Sequence, residues 1–222
     1  MSIVAIFFYT ISELLLLSSI VAFFYGLKLR KFGTPPQLLV LLLASIAADG
    51  LGSINMYYYL ATDIIIIPFD YSLIYRLAEF LLCLLFYKES LELTNRAFTV
   101  ALLIFSIPYF FLITYDSIWI MSYSNDMHTY TLFLFTILST IYLLRYYTRL
   151  ESSDPLKDSN FWYVSGLLIC FSGSTLISFS FQSLLGVASS AAFILYSFKN
   201  IFMIARNILF IKGFHCHKIS SL

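Results

Sequence analysis

Charged residues are scarce in this sequence of 222 residues. Asp, Glu, Lys and Arg make up 11% of it, whereas a soluble domain carries about 25%. Apolar residues make up 60%, so the chain has too little polar surface to cover a water-soluble globule. We therefore expect lipid to solvate much of it. The net charge of +1 gives no basis for a nucleic-acid partner.

Cysteine and histidine are also few, and their placement argues against several chemistries. The cysteines are scattered without a pairing pattern, which excludes a disulfide framework. The predicted spans also lack the helically spaced histidines that would indicate a zinc site. No glycine-rich phosphate loop is present. We expect no enzymatic activity, no cofactor and no metal site. The residues concerned are Cys83, Cys170, Cys216, His128, His215 and His217.

The N-terminus lacks the basic residues of a secretory signal peptide. No Lys or Arg precedes the first apolar run, and Glu13 lies inside that run. A signal peptide needs a positive region followed by an uninterrupted apolar one. Residues 3–27 are therefore predicted to be a true membrane span.

Seven apolar segments approach the roughly 20 residues that a helix needs to cross the hydrocarbon core. No connection between them is long enough for a separate domain, so residues 1–222 are predicted to form a single all-α integral membrane bundle of seven transmembrane helices. The predicted spans are Ile3–Leu27, Leu38–Leu60, Ile66–Tyr87, Ala97–Tyr115, Met127–Leu144, Phe161–Phe181 and Leu184–Ile211.

Basic residues alternate between the connections and predict the orientation. Ten of the thirteen Lys and Arg residues fall after the first, third, fifth and seventh spans, and the N-terminus and the other loops hold none. Cytoplasmic loops carry the excess of Lys and Arg. The N-terminus is thus predicted to lie outside and the C-terminus in the cytoplasm, in a bacterial inner membrane crossed several times.

Five charged residues lie within the spans, far from either predicted surface. Each costs about 2.5–3.5 kcal/mol at the bilayer centre, and counting about 1.5 Å per residue places all five near one depth. We predict that they form a ligand site or charge network between the first, second, third and seventh spans. The alternative is a static ion-pair network that fixes helix order. The residues are Glu13, Asp49, Arg76, Glu79 and Lys199.

The seventh span carries a polar stripe. Lys199 and Arg206 are seven residues apart, as are Asn200 and Asn207, and seven residues return to the same helix face. Asn200 is assigned to the charge network. Arg206 and Asn207 are predicted to lie toward a cytoplasmic output side, with Arg206 snorkelling to the headgroups as the alternative.

The sixth span is rich in small residues. Gly166, Cys170 and Gly173 fall on one face, and small residues let neighbouring helices approach closely. Tight helix packing is the predicted role of this face.

Lys199 and the pair Arg76 and Glu79 resemble the Schiff-base lysine and the Arg-x-x-Asp/Glu pair of microbial rhodopsins. That resemblance implies retinal binding. The sequence departs from it because Leu195 stands one turn before the lysine, where rhodopsins carry Asp, and the sixth span has no proline. Retinal binding is kept as an alternative.

Residues 158–181 and 205–211 resemble small seven-helix membrane proteins of Bacteroidetes and the membrane-embedded N-terminal modules of some sensor histidine kinases. The shared features are Phe161-Trp162, Gly166, Phe171-Ser172-Gly173 and Arg206-Asn207. The resemblance covers about a third of the chain and implies a sensory or signalling module. Residue 222 comes too early for a kinase domain, so we expect a separate signalling partner.

The sequence therefore predicts a sensor or receptor-like module without its own catalytic domain. Its expected partners are the lipid bilayer and a separate membrane or cytoplasmic signalling protein, and a homo-oligomer stays open. The alternatives are a small proton- or ion-coupled transporter, a retinal-binding protein, and a structural subunit of a larger membrane complex.

Overall fold

The computed structural model describes residues 3–30, 33–62, 71–96, 98–100, 102–103, 123–149, 154–184 and 189–220. Within these residues every regular element is helical, which agrees with the all-α prediction. The predicted fourth span, Ala97–Tyr115, lies almost wholly outside the described residues, as does the apolar run 64–67 at the start of the third.

Six long helices account for the other six predicted spans, and a 3-10 helix at Pro155–Lys157 joins the fourth and fifth of them. The helices are α1 (Ile3–Lys28), α2 (Pro36–Thr62), α3 (Tyr71–Ser90), α4 (Tyr123–Arg149), α5 (Ser159–Leu184) and α6 (Ser189–Ser220). In chain order they match the first, second, third, fifth, sixth and seventh predicted spans.

Local chemistry explains several helix ends. Proline stands at the first position of α2, where its missing N–H is not needed. Gly33, just before α2, has φ 94°, a left-handed conformation that other residues rarely adopt. The carboxylate of Asp154 accepts from the Leu156 N–H at 3.1 Å and caps the 3-10 helix.

The last helix is longer than predicted. The apolar pattern indicated an end at Ile211, but α6 continues to Ser220. Phe214 and Cys216 beyond that point are buried, so packing extends the helix past its apolar run. His217 and Lys218 in the last turn also suit the negative end of the helix dipole.

The helices pack in a ring in chain order. Each contacts the next, and α6 closes the ring against α1. The most extensive contact joins α5 and α6, where the small-residue face of α5 lies. A Cβ on Gly166 would meet the Arg206 carbonyl oxygen at 3.2 Å, and one on Gly173 would overlap the Phe202 ring. The predicted tight packing of this face is confirmed.

The bundle has two unlike halves. The half that contains the ends of α1, α3, α4 and α6 and the starts of α2 and α5, called the packed half, holds the main core of buried side chains. Its aromatic rings contact one another across helices, including Tyr87 with Phe135 (centroids 6.1 Å apart), Phe135 with Phe171 (5.1 Å) and Tyr163 with Phe214 (5.4 Å). The opposite half, called the cavity half, contains the start of α1.

Four of the described helices are long and apolar enough to cross a membrane: the segments Ile6–Lys28, Pro36–Asn55, Thr129–Thr148 and Ser159–Ser180. Their outward faces expose large apolar side chains such as Phe24, Leu43, Leu144 and Leu176. Large apolar side chains exposed along long apolar helices indicate a membrane contact.

Replacing Gly173 by Ala tests the close contact of α5 with α6. We expect Gly173→Ala to lower the free energy of unfolding by about 1–3 kcal/mol, the cost of overpacking, because the new methyl group overlaps the Phe202 ring. The measurement is thermal unfolding of the purified protein in detergent micelles.

The matched control for that prediction is Gly50→Ala in α2, where no atom lies within 4 Å of the added Cβ. Alanine gains about 0.5–1 kcal/mol over glycine in a helix, so this variant should be as stable as the parent or more so. Equal changes in the two variants would show that the α5–α6 contact does not limit stability.

Candidate functional site

The polar residues of α6 share one face because of helical spacing. Lys199 and Arg206 lie two turns apart, as do Asn200 and Asn207, and an interval of seven residues returns to nearly the same direction. Asn200, Arg206 and Asn207 are buried. The stripe predicted from the sequence therefore faces the interior of the bundle, toward α1 and α2.

Arg206 is fully buried, with 0% of its surface exposed, and lies in a cyclic network with α2 and α3. Its Nη2 group donates to Ser45 Oγ (3.4 Å), Ser45 donates to the Tyr75 hydroxyl (3.2 Å), and Tyr75 donates to Glu79 Oε1 (3.0 Å). Glu79 closes the cycle through an ion pair with Arg206 Nη1 at 3.7 Å. A buried cation needs such partners because the interior does not solvate it.

Asn207 extends this network to α1. Its Oδ1 atom accepts from Arg206 Nε (3.3 Å) and Nη2 (3.2 Å), and its Nδ2 group donates to Ser18 Oγ and Ser19 Oγ (2.9 Å each). Four helices, α1, α2, α3 and α6, are thus joined at one level. We call Ser45, Tyr75, Glu79, Arg206, Asn207 and the two serines the floor network.

The snorkelling alternative for Arg206 does not describe this structure, because the guanidinium reaches no surface. Its charge is matched internally by Glu79 rather than by lipid headgroups. Arg206 and Asn207 form the base of the polar site rather than an exposed end, so any output role of theirs acts through the helix that carries them.

A cavity of about 350 Å³ lies directly above the floor network, in the cavity half. All five charged residues predicted from the sequence line it: Glu13, Asp49, Arg76, Glu79 and Lys199. Asn200 lines it as well. The helices that supply these residues are α1, α2, α3 and α6, and α4 and α5 add the side chains of Leu132, Cys170 and Ser174.

The charges lie at successive levels above the floor. Asp49 follows Ser45 by one turn on α2, about 6 Å along the axis, and Lys199 lies two turns above Arg206, about 10 Å. The Oδ2 atom of Asp49 is buried and has no hydrogen-bond partner among the described residues.

Aromatic and polar side chains form the upper part of the cavity. The Tyr57 hydroxyl donates to Glu13 Oε1 at 3.2 Å, and the rings of Tyr9 and Tyr57 stack with centroids 6.3 Å apart. Nearby, Asn200 Nδ2 donates to Ser12 Oγ at 3.1 Å. Tyr57 is 55% exposed while Glu79 is 6% exposed, so the lining becomes more accessible away from the floor.

Several of these residues were not predicted from the sequence. Tyr57 was not among the predicted site residues, yet it lines the cavity and bonds to Glu13. Ser45 and Tyr75 each precede a charged cavity residue, Asp49 and Glu79, by four positions. A polar residue one turn from a membrane charge shares its face, and this spacing was the available signal.

Each of the two C-terminal histidines has a hydrogen-bond partner on another helix. His215 bonds to the Tyr25 hydroxyl (3.1 Å) and His217 to Ser159 Oγ (3.2 Å). Over the part of the chain that the structure describes, no group of three or more His, Cys, Asp or Glu side chains is placed to hold a metal ion.

Removing Arg206 tests whether the floor network supports the fold. We expect Arg206→Met to lower the free energy of unfolding by about 3–5 kcal/mol, because the Glu79 carboxylate then stays buried without its cation. Adding Glu79→Gln should restore part of this loss. Unfolding in detergent micelles measures the loss and its partial recovery. Lys212→Met is the matched control, because Lys212 is exposed on the same helix. A similar loss of stability in Arg206→Met and Lys212→Met would contradict the view that the floor network supports the fold.

Comparison with known proteins assigns no family to this site. No model of a protein family, no curated protein and no solved structure matches the chain. The resemblance to Bacteroidetes sensor modules therefore stays a prediction.

Proposed function

We propose that the chain is a receptor-like module of the bacterial inner membrane that binds a small polar ligand in the cavity. The observation that supports this most is the position of the charges. Charged side chains from four helices border one cavity of about 350 Å³, beneath which the bundle is filled by aromatic side chains. Intramembrane ionisable residues mark ligand or ion sites by default.

Seven spans, with the N-terminus outside and the C-terminus in the cytoplasm, form part of this proposal. The direction of the helices supports the number. Phe80 of α3 contacts Phe135 of α4, and Tyr87 of α3 bonds to Ser139 of α4, so these helices run parallel. A parallel pair of this kind is what an intervening span, such as the predicted fourth, would produce.

In this orientation the cavity half faces outward and the packed half faces the cytoplasm. The basic connections, including Lys28 and Arg30 after α1, belong to the packed half. This arrangement suits a module that meets a ligand from outside and transmits its effect inward.

The floor network offers a path for that effect. Arg206 and Asn207 join the residues below the cavity to α6, whose last turns lie in the packed half. A ligand that alters the pairing of Glu79 or Asp49 would shift the equilibrium between two positions of α6. A separate membrane or cytoplasmic signalling protein is the proposed recipient.

The rival proposal is a small proton- or ion-coupled transporter, because the acids in the cavity could also carry protons. The side of the membrane from which the cavity can be reached distinguishes the two proposals. We expect Ser53→Cys, in a chain whose native cysteines are replaced by alanine, to react with a membrane-impermeant maleimide from the periplasmic side only. The packed half blocks the other side. Labelling is compared in cells whose outer membrane is permeabilised, which expose the periplasmic side, and in inverted inner-membrane vesicles, which expose the cytoplasmic side.

Ser139→Cys is the control for this labelling, because Ser139 is 0% exposed in the packed half and should react from neither side. Labelling of the cysteine at position 53 from both sides would favour alternating access and hence the transporter. Labelling from the cytoplasmic side alone would contradict the proposed orientation.

Coupling between the cavity and the end of α6 is the second test. Cys216 is buried there, with its Sγ atom 3.5 Å from the Leu156 carbonyl oxygen, and serves as the single reactive thiol. We expect Lys199→Met or Glu79→Gln to change its rate of maleimide labelling by about threefold or more, within the range of coupling energies between distant sites.

The matched control is Thr10→Ala on α1, because Thr10 is exposed and bonds only to its own helix, at the Ile6 carbonyl oxygen. If the two cavity variants lost stability while the labelling rate of Cys216 stayed that of the parent, the charges would form a static network and the receptor proposal would be wrong.

A further inference from the structure

We infer that the ligand of this cavity is a small zwitterion of amino-acid size. Its ammonium group would lie beside Glu13, Tyr9 and Tyr57, and its carboxylate beside Lys199 and Arg76. The inference rests on the proposed function, because it names the ligand class of the same cavity.

The charge balance of the cavity carries the first step. Glu79 is matched by Arg206 in the floor network. The other four charged residues of the lining are two acids, Glu13 and Asp49, and two bases, Arg76 and Lys199, so their charges balance. A ligand with a net charge would upset this balance in a site that is only partly open to solvent, which is costly. A ligand that carries both signs preserves the balance.

The upper end of the cavity has the chemistry that binds an ammonium group. Tyr9 and Tyr57 present stacked rings there, and Tyr57 holds the Glu13 carboxylate through a hydrogen bond of 3.2 Å. Cations are attracted both to electron-rich ring faces and to carboxylates. Phe8 also lines this end, so the aromatic surface continues around Glu13.

Two cations of the lining have the chemistry that binds a carboxylate. Lys199 of α6 and Arg76 of α3 both line the cavity, and their cationic groups are the donors that carboxylates prefer. Asn200 next to Lys199 is held by Ser12 of α1 at 3.1 Å, so Lys199 lies near the helix that carries Glu13. Opposite charges thus border a single space.

The size and the apolar part of the lining limit the ligand further. A volume of about 350 Å³ is at the small end of ligand sites, which span about 300–1,000 Å³. Leu15, Leu132 and Met203 line the cavity between the charged groups. A compact molecule with one ammonium group, one carboxylate and a short apolar portion fits this lining, whereas a nucleotide or an oligosaccharide is too large.

The experiment uses the full chain in lipid nanodiscs and measures binding by calorimetry. The probes are the proteinogenic amino acids and glycine betaine, each as the free zwitterion. For every amino acid that binds, two blocked forms are compared: the methyl ester, which keeps only the ammonium group, and the N-acetyl derivative, which keeps only the carboxylate. We expect both blocked forms to bind at least about tenfold more weakly, because each loses one charged contact.

Paired variants assign the two ends. In Glu13→Gln, the difference between the amino acid and its N-acetyl derivative should shrink, because the partner of the ammonium group is gone. In Lys199→Met, the difference between the amino acid and its methyl ester should shrink. Tyr57→Phe keeps the ring but removes the hydrogen bond to Glu13 and should weaken only ligands with an ammonium group. Thr10→Ala and Lys212→Met serve as matched controls on α1 and α6.

Three results would overturn the inference. The first is binding of a methyl ester or an N-acetyl derivative as tightly as the free amino acid, which would leave the cavity a site for a singly charged ligand. The second is binding that Glu13→Gln and Lys199→Met leave unchanged, which would place the zwitterion elsewhere. The third is no binding by any probe. The labelling of Ser53→Cys and Cys216 tests the receptor proposal independently of all three.

Discussion

The buried guanidinium of Arg206 is the constraint around which the polar interior is arranged. A cation with 0% exposure requires a counter-charge and acceptors for its donors, since neither lipid nor an apolar core provides them. Glu79 supplies the counter-charge, and Ser45 and Asn207 accept from the Nε and Nη2 groups, whereas Nη1 has no hydrogen-bond partner among the described residues. Because these partners belong to different helices, satisfying one side chain also sets the relative positions of α2, α3 and α6, and Asn207 adds α1 through its serines.

This network divides the bundle into two regions with different physical roles. Below it, aromatic rings from α3, α4, α5 and α6 fill the interior, and small residues on α5 bring α6 close. Above it, charged and aromatic side chains border a cavity of about 350 Å³. The contrast follows from composition along the helices, because the packed segments supply apolar side chains where the cavity segments supply Glu13, Asp49 and Lys199.

Much of this arrangement was predictable, and the remainder has a physical reason. A fixed rise per residue converts sequence position into depth, so the grouping of the five charged residues at one cavity could be anticipated. Their predicted common depth was too narrow, because Lys199 lies about 10 Å above the level where Glu79 pairs with Arg206. The rotation of α3 about its axis could not be anticipated. The same sequence pattern allows Glu79 to pair with Arg76 on its own helix or with a residue of another helix. The structure pairs Glu79 with Arg206, and the uses of Tyr57 and Tyr75 depend on the same unpredictable rotations.

The two interpretations of the membrane charges, static network and ligand site, find support at different residues. A static network is most stable when its charges are packed against one another, and the floor network has that character, with Glu79 accepting from Tyr75 at 3.0 Å and paired with Arg206. Glu13, Asp49, Arg76 and Lys199 also border a cavity, and Asp49 Oδ2 has no hydrogen-bond partner among the described residues. Structural needs alone favour closing such a space with apolar side chains. The proposed ligand therefore concerns the cavity charges, while the burial of Arg206 and Glu79 is accounted for by their ion pair.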